Sequence, residues 1–128
     1  MRLLLDTHLL LWSAAASKRL PAEARALIED AGNEVYYSAA SIWEIAIKSS
    51  LRRKDFRVDI EALRVALPRM GLIELPVSAA HAAGVIKLPP IHRDPFDRML
   101  VAQSIAEPLA LLTNDAVLAR YWDGVRIV

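Results

Sequence analysis

Four acidic residues, Asp6, Glu44, Asp97 and Asp115, are spaced so that one fold can gather them. Asp6 ends the short apolar run Leu3-Leu4-Leu5, and Asp115 follows Leu111-Leu112-Thr113-Asn114. Glu44 comes shortly after Ser38, where a β-branched and aromatic stretch closes, and Asp97 lies in the helix-opening run Asp94-Pro95-Phe96-Asp97. Two carboxylates about 5 Å apart at an effective dielectric of about 20 repel by roughly 3 kcal/mol. Four gathered acids must therefore take up protons or bind a cation, and hard oxygen donors suit Mg²⁺ or Mn²⁺.

Each acid also has a structural explanation of its own. Asp6 can cap the helix that follows it. Ser41 and Glu44 stand in capping-box spacing. Asp94-Pro95-Phe96-Asp97 offers a cap, a proline at the first helical position and a first-turn acid, in the stabilising order. Asp115 opens a helix directly after a strand. Asp94 is assigned to the cap and left out of the acidic set.

The elements that must position these acids are legible in the pattern of apolar residues. Residues 3–5, 34–38, 72–75, 109–113 and 125–128 read as strands, several of them continuously apolar. Between them, residues 8–16, 21–31, 41–51, 59–69, 78–84 and 94–106 read as helices, and a short helix starts at Asp115. Pro68 is expected to end or kink its helix one turn early. Residues 88–94, with two adjacent prolines, read as a surface loop. Strands alternating with helices predict an α/β fold, a three-layer sandwich with a central, mainly parallel sheet. Ligands of such sheets gather at the carboxyl ends of the strands, where Asp6 and Asp115 fall.

Composition sets the outer bounds. At 128 residues the chain fits one domain with a real core. It has no cysteine, which excludes disulfides, thiolate catalysis and cysteine-based zinc sites, and a reducing cytoplasm is the expected setting. No apolar run approaches the roughly 20 residues of a membrane span, and no secretory leader is expected from the opening residues. Sixteen Lys and Arg nearly balance fifteen Asp and Glu, so no global positive field would hold a polyanion. A local stripe is available in Lys48, Arg52, Arg53, Lys54 and Arg57, which read equally well as a solvated helix end. Lys48 stands four residues after Glu44, the spacing of an intrahelical ion pair.

The chain closely resembles the PIN-domain ribonucleases, and within them the VapC-like toxins of toxin–antitoxin pairs. The resemblance rests on Leu4-Leu5-Asp6-Thr7-His8 running to Leu11-Trp12, on residues 38–45 with Trp43-Glu44, on Asp94-Pro95-Phe96-Asp97-Arg98-Met99-Leu100-Val101-Ala102-Gln103, and on Leu111-Leu112-Thr113-Asn114-Asp115. It implies that Asp6, Glu44, Asp97 and Asp115 coordinate one or two Mg²⁺ or Mn²⁺ ions, with Asp6 and Asp97 as principal ligands. Glu44 and Asp115 would hold a second ion or orient water, and Thr113 would support the site by hydrogen bonding. The implied reaction is hydrolysis of RNA to 5′-phosphate and 3′-hydroxyl ends. The implied partners are a VapB-like antitoxin and a second copy of the chain, with a hetero-tetramer or larger assembly of such pairs.

Other residues are weighed against simpler roles. Arg93 and Arg98 could touch RNA phosphate, or pair with Asp94 or Asp97. Trp12, Trp43 and Trp122 could stack bases, but Trp12 and Trp43 are expected to pack in the core. His8, His81 and His92 show no paired metal-ligand spacing, and His8 is expected to pack on its helix. Two other functions compete. A haloacid-dehalogenase-type phosphatase also opens on a strand ending in Asp, but expects a second Asp where this chain has His8. A non-catalytic RNA- or protein-binding module would tolerate loss of the acids, and all four are present.

Overall fold

The computed structural model describes residues 1–51 and 58–128, so Arg52, Arg53, Lys54 and Arg57 of the basic run lie outside the described residues. Strand β1 (Arg2–Leu5) leads into α1 (Thr7–Ala14) and α2 (Ala22–Glu29). Strand β2 (Glu34–Ser38) runs straight into α3 (Ala39–Ser50), and α4 (Ile60–Arg69) precedes β3 (Ile73–Leu75). Helix α5 (Ala79–Gly84) continues into a 3₁₀ turn and a proline-containing loop, and then come α6 (Pro95–Ala106) and β4 (Ala110–Thr113). A 3₁₀ helix, Ala116–Arg120, and β5 (Val125–Ile127) complete the order.

The five strands form one sheet in the order β3-β2-β1-β4-β5, and every pairing is parallel. The α/β class and the parallel sheet expected from the apolar runs are therefore observed. Leu3, Leu4 and Leu5 are all fully buried, because β1 is the central strand and helices cover both of its faces. Leu3 and Leu5 join one core with Leu9, Leu10, Leu63 and Leu67. Leu4 joins the other, with Leu100, Val101 and Leu111. The two-residue alternation of a strand thus splits one apolar tripeptide between two cores.

Two expectations about helix limits are corrected. Pro68 does not shorten α4, which runs to Arg69 with the proline in its last turn. The end is fixed just beyond, where Gly71 adopts a φ of 82°. The Leu72 N–H then donates to the Leu67 carbonyl and the Gly71 N–H to that of Pro68, which satisfies the terminal carbonyls. Helix α3 starts earlier than its apolar periodicity suggests. Ser38 is its cap, accepting from the Ala40 N–H, so Ser41 and Glu44 lie inside the helix and form no capping box.

The chain leaves β1 toward β2 on one side and returns to β4 on the other. The carboxyl ends of β1 and β4 consequently flank a topological switch point, where open parallel sheets bind ligands. No helix among the described residues is long and apolar enough to cross a membrane.

Candidate active site

Asp6 stands at the end of β1 and caps α1, its Oδ1 accepting from the Leu9 N–H at 2.8 Å. Its Oδ2 accepts from the Thr113 hydroxyl at the end of neighbouring β4. That hydroxyl in turn accepts from the Asp115 N–H at 3.0 Å. Asp115 caps the 3₁₀ helix after β4 through the Val117 N–H. Asp97 lies in the first turn of α6, where Asp94 carries out the capping by accepting from the Phe96 and Asp97 N–H groups. The Asp97 carboxylate is thus left without a capping task.

Asp6, Asp97 and Asp115 line one cleft of about 420 Å³, together with His8, Trp12 and Asn114. Three helix N-termini meet there, and their positive ends offset part of the gathered negative charge. The offset is incomplete. Burial pushes the Asp97 carboxyl up to about 7, with Asp94, Glu44 and Asp6 adding to the rise and His92 opposing it. Burial also raises Asp6, with Asp115 adding to the rise against the hydrogen bonds from Thr113 and Leu9. Burial is the larger cause of both shifts, and the neighbouring acids add to it.

Glu44 is not among the residues that line this cleft. It is buried, 4% exposed, and accepts from the Thr7 hydroxyl and from Lys48 Nζ, both at 2.7 Å. Its charge is therefore compensated within its own helix, unlike that of Asp97.

His92 is the residue that sequence spacing did not single out. Its Nε2 lies 3.2 Å from Asp115 Oδ2 and 3.4 Å from Asp97 Oδ2, bridging the two acids from the loop before α6. The available signal was its place two residues ahead of the Asp94 cap, within reach of the first turn of α6. His8 is exposed, lines the cleft and packs on its own helix near Trp12, with ring centroids 5.8 Å apart.

Several lesser candidates are placed elsewhere. Arg98 donates to the carbonyls of Val85, Leu88 and Pro89 and to the Tyr121 hydroxyl, so it clamps the preceding loop and forms no pair with Asp94 or Asp97. Arg93 is exposed next to His92. Trp43 is 64% exposed, contrary to the core packing expected of it, because it lies on the outer side of α3 and meets the edge of Phe96 at 5.3 Å. Trp122 is half-buried against the Leu4 core.

The donor set fits a hard divalent cation. It offers oxygen ligands, and the burial and crowding that raise the Asp97 and Asp6 carboxyls are what such an ion would offset. Among the described residues, one nitrogen of His92 and one oxygen each of Asp97 and Asp115 lie within 4.8 Å of one another, and Asp6 lines the same cleft.

Comparison with solved structures agrees with the fold. VapBC2 from Rickettsia felis bound to a DNA fragment from their promoter matches with a TM-score of 0.69 at 17% identity, over 100% of this chain and 98% of that one. DNA-bound VapBC from Salmonella typhimurium matches at 0.67 and 16% identity, over 100% and 97%. FitAcB from Neisseria gonorrhoeae matches at 0.61 and 18% identity, over 98% and 96%. No curated protein gives a significant sequence match. The PIN domain family profile matches residues 3–122, which takes in β1 with Asp6, the first turn of α6 and the Thr113–Asp115 turn. With all of the sheet but its last strand inside that match, the chain belongs to the PIN domain family.

Proposed function

We propose that this chain is a divalent-metal-dependent endoribonuclease and the toxin of a VapBC-like toxin–antitoxin pair. The observation that carries the reading is the convergence of Asp6, Asp97 and Asp115 in one cleft at the β1–β4 switch point, with Asp97 raised to about 7. Asp6 and Asp97 would hold Mg²⁺ or Mn²⁺, and Asp115 and Glu44 would hold a second ion or orient water. When bound, the ion supplies Lewis acidity toward the phosphodiester and lowers the pKa of water.

The protein's own groups then have defined tasks. Thr113 Oγ1 and the Leu9 N–H each occupy one Asp6 oxygen, which fixes the plane of that carboxylate. The N-terminal end of α6 stabilises the ionised form of Asp97 and favours an incoming phosphate. Thr7 and Lys48 hold the Glu44 carboxylate in one orientation through two hydrogen bonds. The products would carry 5′-phosphate and 3′-hydroxyl ends.

The partners follow from likeness to VapBC proteins: a VapB-like antitoxin, with a second copy of the chain. Expression without the antitoxin tests the role. Wild type is expected to arrest growth, while Asp6→Ala and Asp97→Ala leave it unaffected. Equal toxicity of all three would overturn the metal-site reading, and absence of toxicity in wild type would overturn the toxin reading.

A further inference from the structure

His92, Asp97 and Asp115 offer one nitrogen and two oxygen atoms that all lie within 4.8 Å of one another. Distance alone would make His92 a third metal ligand. The polarity of its hydrogen bonds says otherwise. The Asp94 backbone N–H donates to His92 Nδ1 at 3.0 Å, so Nδ1 is the acceptor and the ring proton resides on Nε2. A metal-ligating imidazole has the opposite arrangement, with its outer nitrogen donating to an acceptor and its inner lone pair facing the ion.

We propose that His92 is a positioning residue, whose Nε2–H donates to Asp115 Oδ2 at 3.2 Å while facing Asp97 Oδ2 at 3.4 Å, and so holds those carboxylates together for the cation. Its loop is fixed for that purpose on both sides. The His92 N–H donates to the Tyr121 hydroxyl at 2.8 Å, and the same hydroxyl accepts from Arg98 at 3.3 Å. Arg98 in turn clamps the carbonyls of Val85, Leu88 and Pro89. The imidazole is thereby fixed by the 3₁₀ segment, the loop and α6, although its two partners belong to different elements. A single donor placed between two like charges lowers their repulsion without adding a metal ligand.

The inference rests on the metal-site reading above, and its test separates the two. Mn²⁺ serves as the probe, with binding followed by calorimetry and the bound ion examined by pulsed electron paramagnetic resonance. Wild type is expected to bind Mn²⁺ without coupling from a directly bound imidazole nitrogen. His92→Ala is expected to bind Mn²⁺ about 10- to 100-fold more weakly, as loss of an outer-shell partner does. His92→Gln, whose amide N–H falls near the position of Nε2–H, is expected to recover to within a few-fold of wild type. In metal-free protein, long-range proton–nitrogen correlation spectra are expected to place the His92 ring proton on Nε2. A directly bound nitrogen in wild type, a proton on Nδ1, or a glutamine variant as weak as the alanine one would overturn the inference and leave the metal site standing. Wild type that binds no Mn²⁺ would overturn both.

Discussion

The Thr113 hydroxyl donates to the Asp6 carboxylate across the β4–β1 pair, joining the ends of two adjacent parallel strands. Thr113 is fully buried and Asp6 is only 4% exposed, so neither group has ready access to water as a substitute partner. Replacing Thr113 with valine keeps the shape and removes the donor. The variant is expected to lose about 1–3 kcal/mol of stability, the usual cost of stranding a buried polar group. Chemical denaturation checks the loss, and Mg²⁺ titration is expected to show weaker binding in the same variant.

The raised acids dictate how metal-free stability depends on pH. Asp97 is elevated to about 7 in the folded protein, whereas an unfolded Asp titrates near about 4. Between those limits the folded state binds more protons, so stability is expected to fall as pH rises from about 4 to about 7, and to level off above. Asp6, also raised, adds to the same slope. Urea unfolding at a series of pH values measures it. Saturating Mg²⁺ is expected to reduce or reverse the decline, because the ion binds the deprotonated carboxylates.

Asp94 and Asp97 are three residues apart and are expected to respond in opposite ways. Asp94→Ala removes the α6 cap and is expected to cost about 1 kcal/mol of stability with metal binding largely retained. Asp97→Asn removes a crowded charge and is expected to leave metal-free stability at pH 8 equal or higher, while abolishing cleavage. Thermal melts paired with an RNA cleavage assay separate the two.

Glu44 differs from the other acids because Lys48 and Thr7 already balance it. Glu44→Gln is expected to reduce cleavage by about 10- to 100-fold, the range typical of an outer-shell change. Asp6→Asn and Asp97→Asn are expected to cost far more. Steady-state cleavage rates for the three variants give the ranking, and a Glu44 variant as damaged as the Asp97 one would place Glu44 in direct contact with the ion.

Much of the fold was legible because its strands are short apolar runs and its helices begin at recognisable caps. Asp94-Pro95 announced α6, and the Leu3-Leu4-Leu5-Asp6 run announced a buried strand ending in an acid. Glu44 was harder to read. Helix α3 starts at Ala39, in a small-residue stretch without apolar periodicity, so Ser41-x-x-Glu44 imitated a capping box from inside the helix. Trp43 misled because its sequence neighbours Ile42 and Ile45 face the core while its own ring lies outside. His92 left little trace, since its partners lie 5 and 23 residues away and meet it only after the loop before α6 has folded. The arrangement of the site is a property of the sheet's switch point, and local pattern specifies that only through the order of the strands.

The central claim is that the acidic cleft is a metal-dependent ribonuclease site, and cleavage by the purified chain tests it most directly. Wild type, Asp6→Asn and Asp97→Asn, each verified as folded, would be incubated with RNA in Mg²⁺ or Mn²⁺ and again with excess chelator. The account predicts cleavage by wild type only, only with the ion present, leaving 5′-phosphate and 3′-hydroxyl ends. Cleavage that survives the chelator, or that both variants retain at the wild-type rate, would contradict it.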